Sequence, residues 1–328
     1  MRIVAPVSST SEVEMLLHHG ADELYLGLAT PEWETRFGHH LWMNRRSSSQ
    51  ANFSSWQDIE EVVTLAHRKG AVVHMALNAP FYTDDALAFL LGLCRKAVEK
   101  TGIDSIIVSD INLLVRLAGE ALPVRIHLSS LGSCFNARSA DFYRSLGVRR
   151  IILPRQLGLS DIRRIVAASG SNMEFEVFAL NDGCYFEEGF CRTSHSLGPF
   201  CLAQGEPSIH GSPPDGISPA FLAEGMKDLR EYLWTQNNCG SSFQADGLPN
   251  GPCSLCRFGH FRDWGIHAVK IVGREASFVR KLGSIQLVKA VMDEARKGAG
   301  HEEIARLSRS LRKTPELCHK GFMCYFRE

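Results

Sequence analysis

The sequence has 328 residues, 45% of them hydrophobic, and its 36 Lys and Arg residues balance 36 Asp and Glu residues to a net charge of zero. Such a chain can bury a substantial core, and its neutral balance disfavours a protein that lives on phosphate backbones, although a local basic patch is compatible with it. The start shows no signal-peptide pattern and no apolar run approaches the roughly eighteen residues of a membrane span, so we expect a cytoplasmic protein without a membrane span.

Short apolar runs alternate with longer amphipathic segments along the chain. The predicted strands are RIVAPV, DELYLGL, AVVHMALN, DSIIVSD, VRIHLSS, RRIILP, EFEVFAL and HAVKIV. Capped helices with apolar residues at helical spacing are predicted at 9–20, 54–70, 83–102, 111–122, 137–147, 159–169 and 277–298, and residues 29–55 are predicted to be irregular.

Eight strands that alternate with helices predict an α/β protein of the (β/α)8 TIM-like barrel type, which need not be regular. The alternative is an open doubly wound sheet. That fold is disfavoured because no G-x-G-x-x-G follows the first strand.

Polar residues follow several of the predicted strands, where a barrel carries its binding and catalytic groups. They include Asn78, Asp110, Ser129, Arg155 and Arg274. Each has a structural alternative: Asp110, for example, can cap the next helix, and Arg155 can pair with a surface carboxylate. Together they predict a polar rim of mixed charge that suits a small anionic or oxygenated ligand.

The longest interruption of the pattern carries a group of cysteines. Cys184, Cys191 and Cys201 lie in an irregular stretch, and Cys253 and Cys256 lie near the far end of the same insertion. In a reducing compartment such a group favours metal binding or catalysis over disulfides. Both ends of the insertion meet over the barrel mouth, so the first three cysteines and one of the last two can converge. Four thiolates suit an iron–sulfur cluster or zinc, and unrelated thiols are the third alternative.

These features predict one barrel domain over residues 1–300, with a cysteine-rich cap at 181–262 inserted before the last strand. Residues 301–328 are predicted to be a C-terminal tail. Cys239, Cys318 and Cys324 are interpreted either as ordinary reduced thiols or as part of a second metal site.

Several stretches in chain order carry a resemblance to a known family. The opening APVSSTSEVEMLLHHGADELYLGL contains a GAD-x-x-Y-x-G-L phrase, and RRSSSQANFS contains an R-x(5)-N-F segment. EFEVFALNDGCYFEEGFC places two cysteines with six residues between them, and GIHAVKIVGRE closes with K-I-x-G-R. In this order and spacing the stretches resemble the peptidase U32 family, of the collagenase-like superfamily, over almost the whole chain.

The resemblance implies a [4Fe–4S] cluster as cofactor. It assigns the four metal ligands to Cys184, Cys191, Cys201 and Cys253, with Cys256 as the substitute for Cys253. It also adds two basic residues to the rim, and the predicted substrate-binding residues are then Arg46, Asn78, Ser129, Arg155, Lys270 and Arg274. Arginine and lysine side chains there are suited to clamp carboxylates of a prephenate-like oxygen donor.

The resemblance further implies oxygen-independent hydroxylation rather than proteolysis, since the sequence shows no protease motif. Chain length is closest to the short members that act in ubiquinone biosynthesis, and the zero net charge disfavours nucleic acid. We therefore expect chemistry on a small aromatic or quinone-like substrate, with a homologous U32 subunit or an electron donor as protein partner. The alternatives are an RNA base hydroxylase acting on tRNA or rRNA and a non-catalytic cluster-binding partner protein.

Overall fold

The computed structural model describes residues 1–46, 49–181, 208, 210–212, 216–238, 252–321 and 324–326. Its strands β1–β8 are Arg2–Pro6, Glu23–Gly27, Val72–Leu77, Ser105–Val108, Arg125–Leu128, Val148–Ile152, Glu174–Leu180 and Ala268–Ile271. Its helices α1–α12 are Val13–His18, Pro31–Arg36, Trp56–Arg68, Asp84–Lys96, Ile111–Gly119, Ala137–Ser145, Leu159–Ser169, Pro219–Asn238, Phe258–Asp263, Phe278–Arg296, His301–Arg312 and Pro315–Lys320.

The eight strands form a closed barrel in sequence order, and every neighbouring pair is parallel. Closure is made between β8 and β1, where Arg2 pairs with Ala268 and Val4 with Lys270. The predicted (β/α)8 barrel is therefore confirmed. Parallel pairing brings all eight carboxyl ends to one face, which places the strand-end residues around a common mouth.

Side-chain caps explain where several helices begin. Ser55 accepts a hydrogen bond from the Asp58 backbone N–H before α3, and Thr83 caps α4 in the same way. Asp110 accepts a bond of 2.7 Å from the Leu113 N–H at the start of α5. The capping alternative for Asp110 is therefore correct, and its carboxylate is engaged in a hydrogen bond within the protein.

Residues 29–55 were predicted to be irregular, and this is wrong for α2. Thr30 caps that helix by accepting from the Trp33 N–H at 3.2 Å, and Pro31 occupies its first turn, where a missing N–H is tolerated. Trp33 is fully buried, so packing of one large side chain fixes a helix too short to show a repeating apolar pattern.

The C-terminal segment, predicted as a tail, contains helices α11 and α12. Helix α11 buries Ile304 and Ser308 against α9, α10 and a 3-10 turn at Leu255–Arg257. The predicted division into a barrel of residues 1–300 and a tail of 301–328 stays a prediction, and much of the predicted cap lies outside the described residues. Within the described ranges, no helix is long and apolar enough to cross a membrane.

Candidate functional site

A cavity of about 60 Å³ opens at the carboxyl ends of the strands. All six residues predicted to bind substrate line it: Arg46, Asn78, Ser129, Arg155, Lys270 and Arg274. Four of them were selected by the strand-end rule and two, Arg46 and Lys270, by the family resemblance, and their role in substrate binding stays a prediction. Tyr25 and Arg45 also line the cavity, and the sequence analysis missed both. Tyr25 lies inside a strand rather than at its end, and Arg45 lies in a segment without a repeating pattern.

The described lining of this cavity is strongly cationic and includes no carboxylate. Its five cations are Arg45, Arg46, Arg155, Lys270 and Arg274. Acidic side chains lie behind the lining: Arg46 lies 3.9 Å from Glu275, and Lys270 lies 3.0 Å from Glu176. A lining with several cations in a partly enclosed site favours an anionic group.

Arg274 is held by neutral groups. Its Nη2 donates to Asn44 Oδ1 at 2.7 Å and its Nη1 donates to Asn52 Oδ1 at 3.4 Å. The two amides support each other, since Asn44 Nδ2 donates to Asn52 Oδ1 at 2.8 Å. Amide oxygens orient a guanidinium without neutralising it, so Arg274 keeps its charge for a ligand. Burial is the main reason that the pKa of Arg274 falls to about 10, and the neighbouring Arg46 contributes.

Gly27, at the end of β2, leaves the space that the Arg274 guanidinium fills. A β-carbon on Gly27 would lie 1.6 Å from Arg274 Nη1 and 2.2 Å from Asn52 Oδ1. The second glycine of the GAD-x-x-Y-x-G-L phrase is therefore explained sterically, because a side chain here would overlap the Arg274 guanidinium, which follows β8.

The floor of the cavity rests on a buried charge network inside the barrel. Lys270 Nζ donates to Glu176 Oε1 at 3.0 Å and lies 3.8 Å from the centre of the Tyr25 ring. Below it, Arg150 donates to both Glu176 and Glu23. Burial lowers the pKa of Lys270, and Glu176 opposes that shift, so the pair is held as an ion pair of fixed geometry.

Asn78 and Ser129 form a polar side of the same cavity. Asn78 Nδ2 donates to Ser129 Oγ at 3.0 Å, and Asn78 Oδ1 accepts from the Arg45 backbone N–H at 3.2 Å. One amide thus ties the ends of β3 and β5 to the segment that carries Arg45 and Arg46. The rim is preorganised, which lowers the entropy cost of binding.

Arg155 lies near two aromatic rings, one from β7 and one from the C-terminal segment. Its guanidinium carbon is 4.2 Å from the centre of the Phe178 ring and 6.0 Å from that of Tyr325. Tyr325 packs against Phe178 at 5.8 Å and is buried. No sequence signal marked Tyr325 as a site residue, because only the folded C-terminal segment brings it to β7.

Of the four predicted cluster ligands, only Cys253 is described, and Cys184, Cys191 and Cys201 lie outside the described residues. The Cys253 backbone pairs with Leu180, at the end of β7, on one side and with Cys324 on the other. Its thiol is buried, and burial raises its pKa. Cys253 does not belong to the described lining of the cavity.

The alternatives for the remaining thiols stay open. Cys256 lies one turn beyond Cys253, and burial raises its thiol pKa as well. In the part of the chain that the structure describes, no group of three or more His, Cys, Asp or Glu side chains is placed to hold a metal ion. Cys253 nevertheless fits a ligand role in one respect: it lies where the cap returns to the barrel mouth, and a bound metal favours ionisation of a buried thiol.

Comparison with known proteins identifies a family that matches this chain. The family described as Peptidase family U32 matches residues 8–206, which is more than half of the chain. The match covers six of the eight barrel strands, β2 to β7; β1 precedes it and β8 follows the cap.

Three curated proteins illustrate the range of relatives. The tRNA hydroxylation protein P of Escherichia coli is 21% identical over 98% of this chain and 73% of its own length. The 23S rRNA 5-hydroxycytidine C2501 synthase of Escherichia coli is 29% identical over 60% of this chain and 27% of its own length. A collagenase of Porphyromonas gingivalis is 25% identical over 58% of this chain and 44% of its own length. The chain therefore spans less than half the length of two of these three relatives.

Proposed function

Since the chain belongs to peptidase family U32, we propose that it hydroxylates a base of tRNA or rRNA at the mouth of its barrel. The observation that carries this proposal is the cavity lined by five cations, in which Arg274 is oriented by amides and not by a carboxylate. Two relatives with RNA hydroxylation in their names support the choice of substrate.

The expectation of a small aromatic or quinone-like substrate is wrong. It was based on chain length and zero net charge, yet the tRNA hydroxylation protein P aligns with 98% of this chain. Net charge is a sum over the whole surface and does not report where charges cluster, so a neutral chain can still present a cationic site. The RNA alternative replaces it.

In this proposal the rim binds an anionic group beside the target base. A flipped or single-stranded nucleotide carries its phosphate next to the base, and arginine binds phosphate or carboxylate through two parallel hydrogen bonds. Arg274 and Arg155 orient that anion, and Lys270 supplies a fixed charge at the floor. A small oxygen donor with carboxylates, such as prephenate, has the same chemistry and stays part of the proposal.

We also propose that Cys184, Cys191, Cys201 and Cys253 hold a [4Fe–4S] cluster, with Cys256 as the substitute for Cys253. Such a cluster supplies redox or Lewis-acid chemistry when bound. The position of Cys253 beside the end of β7 supports this assignment. The chain's own residues bind and orient the substrate.

Proteolysis is not proposed, although one relative is a collagenase. The described lining offers the hydroxyls of Ser129 and Ser130 but includes no His, Asp or Glu that can act as their base. A serine nucleophile without an adjacent base is weak at neutral pH.

The proposed function is tested by mass spectrometry of nucleosides from tRNA and rRNA of cells with and without this gene. We expect one nucleoside to lose the mass of an oxygen atom in the deletion strain and to regain it when the wild-type gene is returned. The Arg274→Ala gene should restore little of it. Identical nucleoside profiles in all strains would contradict RNA hydroxylation.

The two sources of the anion are separated with purified protein. If the rim binds an RNA phosphate, Arg274→Ala weakens RNA binding; if it binds a carboxylate donor, the variant binds RNA normally and loses affinity for prephenate. Loss of one charge-assisted hydrogen bond costs about 1.5–3 kcal/mol, which is roughly ten- to a hundredfold in affinity. Arg274→Lys is the matched control, because it keeps the charge but loses the fork.

A further inference from the structure

Residues 324–326 reach the barrel mouth and are anchored there through both backbone and side chains. The Tyr325 backbone N–H donates to the Cys253 carbonyl oxygen at 3.1 Å, and Cys253 in turn pairs with Leu180 at the end of β7. Phe326 is buried and packs edge-on against Phe261 of α9 at 5.8 Å. The place of Tyr325 beside β7 is therefore fixed by its own backbone and by its neighbour.

The Tyr325 ring reaches two groups that line the cavity. Its centre lies 5.8 Å from that of the Phe178 ring and 6.0 Å from the Arg155 guanidinium carbon. Phe178 is the ring nearer to Arg155, at 4.2 Å, and both of these residues line the cavity, whereas Tyr325 does not. Since Tyr325 is buried behind the lining, it acts on a bound ligand only through the groups in front of it.

An arginine that packs on aromatic rings is still able to bind an anion. The guanidinium is planar, so its faces pack on rings while its N–H groups point outward in the plane and donate to phosphate or carboxylate. The rings beside Arg155 therefore restrict its rotamers and themselves use none of its donors. A side chain that is already ordered loses less entropy when it binds a ligand.

We propose that Tyr325 is a positioning residue for the anion that binds at the mouth, an inference that rests on the anion site of the proposed function. Together with Phe178 it holds the Arg155 guanidinium in place. Tyr325 acts through Arg155 and not by contact with RNA. The C-terminal segment is then part of the binding site, although it follows the last barrel strand.

The experiment removes the Tyr325 ring and measures affinity for RNA and for inorganic phosphate. The RNA probes are bulk tRNA and a transcript of 23S rRNA. A cation–π contact corresponds to roughly 2- to 30-fold in a binding constant, so we expect Tyr325→Ala to weaken binding of RNA and of phosphate by a factor in that range. Tyr325→Leu keeps an apolar side chain without an aromatic face and should lose as much; it replaces the alanine variant if that variant unfolds. Tyr325→Phe keeps the ring and should bind as the wild type does.

Two comparisons separate positioning from a general loss of stability. In an Arg155→Ala background the guanidinium is absent, so Tyr325→Ala should cause no further loss of affinity. Phe258→Ala is the matched control, because it removes another buried ring near the C-terminal segment. Phe258 lies 6.3 Å from Phe261, and among the described residues it makes no ring contact with Tyr325 or Phe178. The control should melt earlier than the wild type and bind RNA and phosphate normally.

The outcomes separate this inference from the proposed function. Equal losses of affinity in Tyr325→Ala and Phe258→Ala overturn the positioning role and leave RNA as the substrate. The same holds if Tyr325→Ala has its full effect without Arg155, or if Tyr325→Leu binds like the wild type. Wild-type protein that binds phosphate but neither RNA contradicts the proposed function, and the phosphate affinities still decide the role of Tyr325. Wild-type protein that binds neither RNA nor phosphate contradicts both.

Discussion

Replacement of Gly27 by alanine tests how the site is held together. The new β-carbon would lie 1.6 Å from Arg274 Nη1, where an ordinary contact needs about 3.4 Å, so the guanidinium has to move by about 1.8 Å. The backbone of Gly27 is not left-handed, so alanine fits the backbone and the effect is steric. The clashing atoms are the far ends of the Arg274 and Asn52 side chains, which can swing away while the barrel remains folded.

The structure gives the size of the expected effect. Movement by about 1.8 Å breaks the 2.7 Å bond from Arg274 to Asn44 and the longer one to Asn52. A hydrogen bond to a charged group contributes about 1.5–3 kcal/mol, and we expect a loss of this size in the free energy of unfolding. Misplacement of a binding group by about 1 Å costs on the order of a hundredfold in rate, so hydroxylation should fall by about that factor.

A double-mutant cycle in urea unfolding and in RNA hydroxylation checks the reasoning. In Arg274→Ala the closest clash beside Gly27 is absent and only that with Asn52 Oδ1 remains, so adding Gly27→Ala should cost less than it does in the wild type. Strongly non-additive losses support the steric account. If the two losses add, or if Gly27→Ala alone matches the wild type in stability and rate, then Gly27 is not required for the close approach of Arg274.

Two further predictions concern the cofactor and the barrel interior. Cys184→Ser or Cys191→Ser should abolish bound iron and lower the melting temperature of anaerobically purified protein, whereas Cys318→Ser should change neither. A variant that lacks both Cys184 and Cys191 and still binds iron at the wild-type level would refute the assignment. Glu23→Gln should destabilise the protein at neutral pH by about 3–5 kcal/mol, because it leaves Arg150 with one buried partner fewer. Burial alone would raise the pKa of Glu23, but hydrogen bonds from His74 and Arg150 outweigh it and lower that pKa. The stabilisation that Glu23 provides is therefore present above about pH 4.3 and is lost as pH falls. The unfolding free energies of wild type and variant should converge in acid, and a difference that stays constant with pH would contradict this.

The sequence alone was sufficient for the barrel and for most of its rim. Alternation of strand and helix patterns is local information, because each period depends on residues a few positions apart. Parallel closure then follows from eight such units, and it places Asn78, Ser129, Arg155 and Arg274 at one mouth without any further data. The same local patterns failed for α2, whose start depends on one cap and whose position depends on burial of Trp33.

Only the tertiary structure decided which groups hold the rim residues in place. Arg274 is held by Asn44 and Asn52, which are 230 and 222 residues away in the chain, and Tyr325 contacts Phe178 from the C-terminal segment. No local period encodes such contacts, since they arise when distant segments pack. The inference from net charge against a nucleic-acid substrate was wrong for the same reason. The sum over the chain is zero, whereas the fold gathers five cations around one cavity.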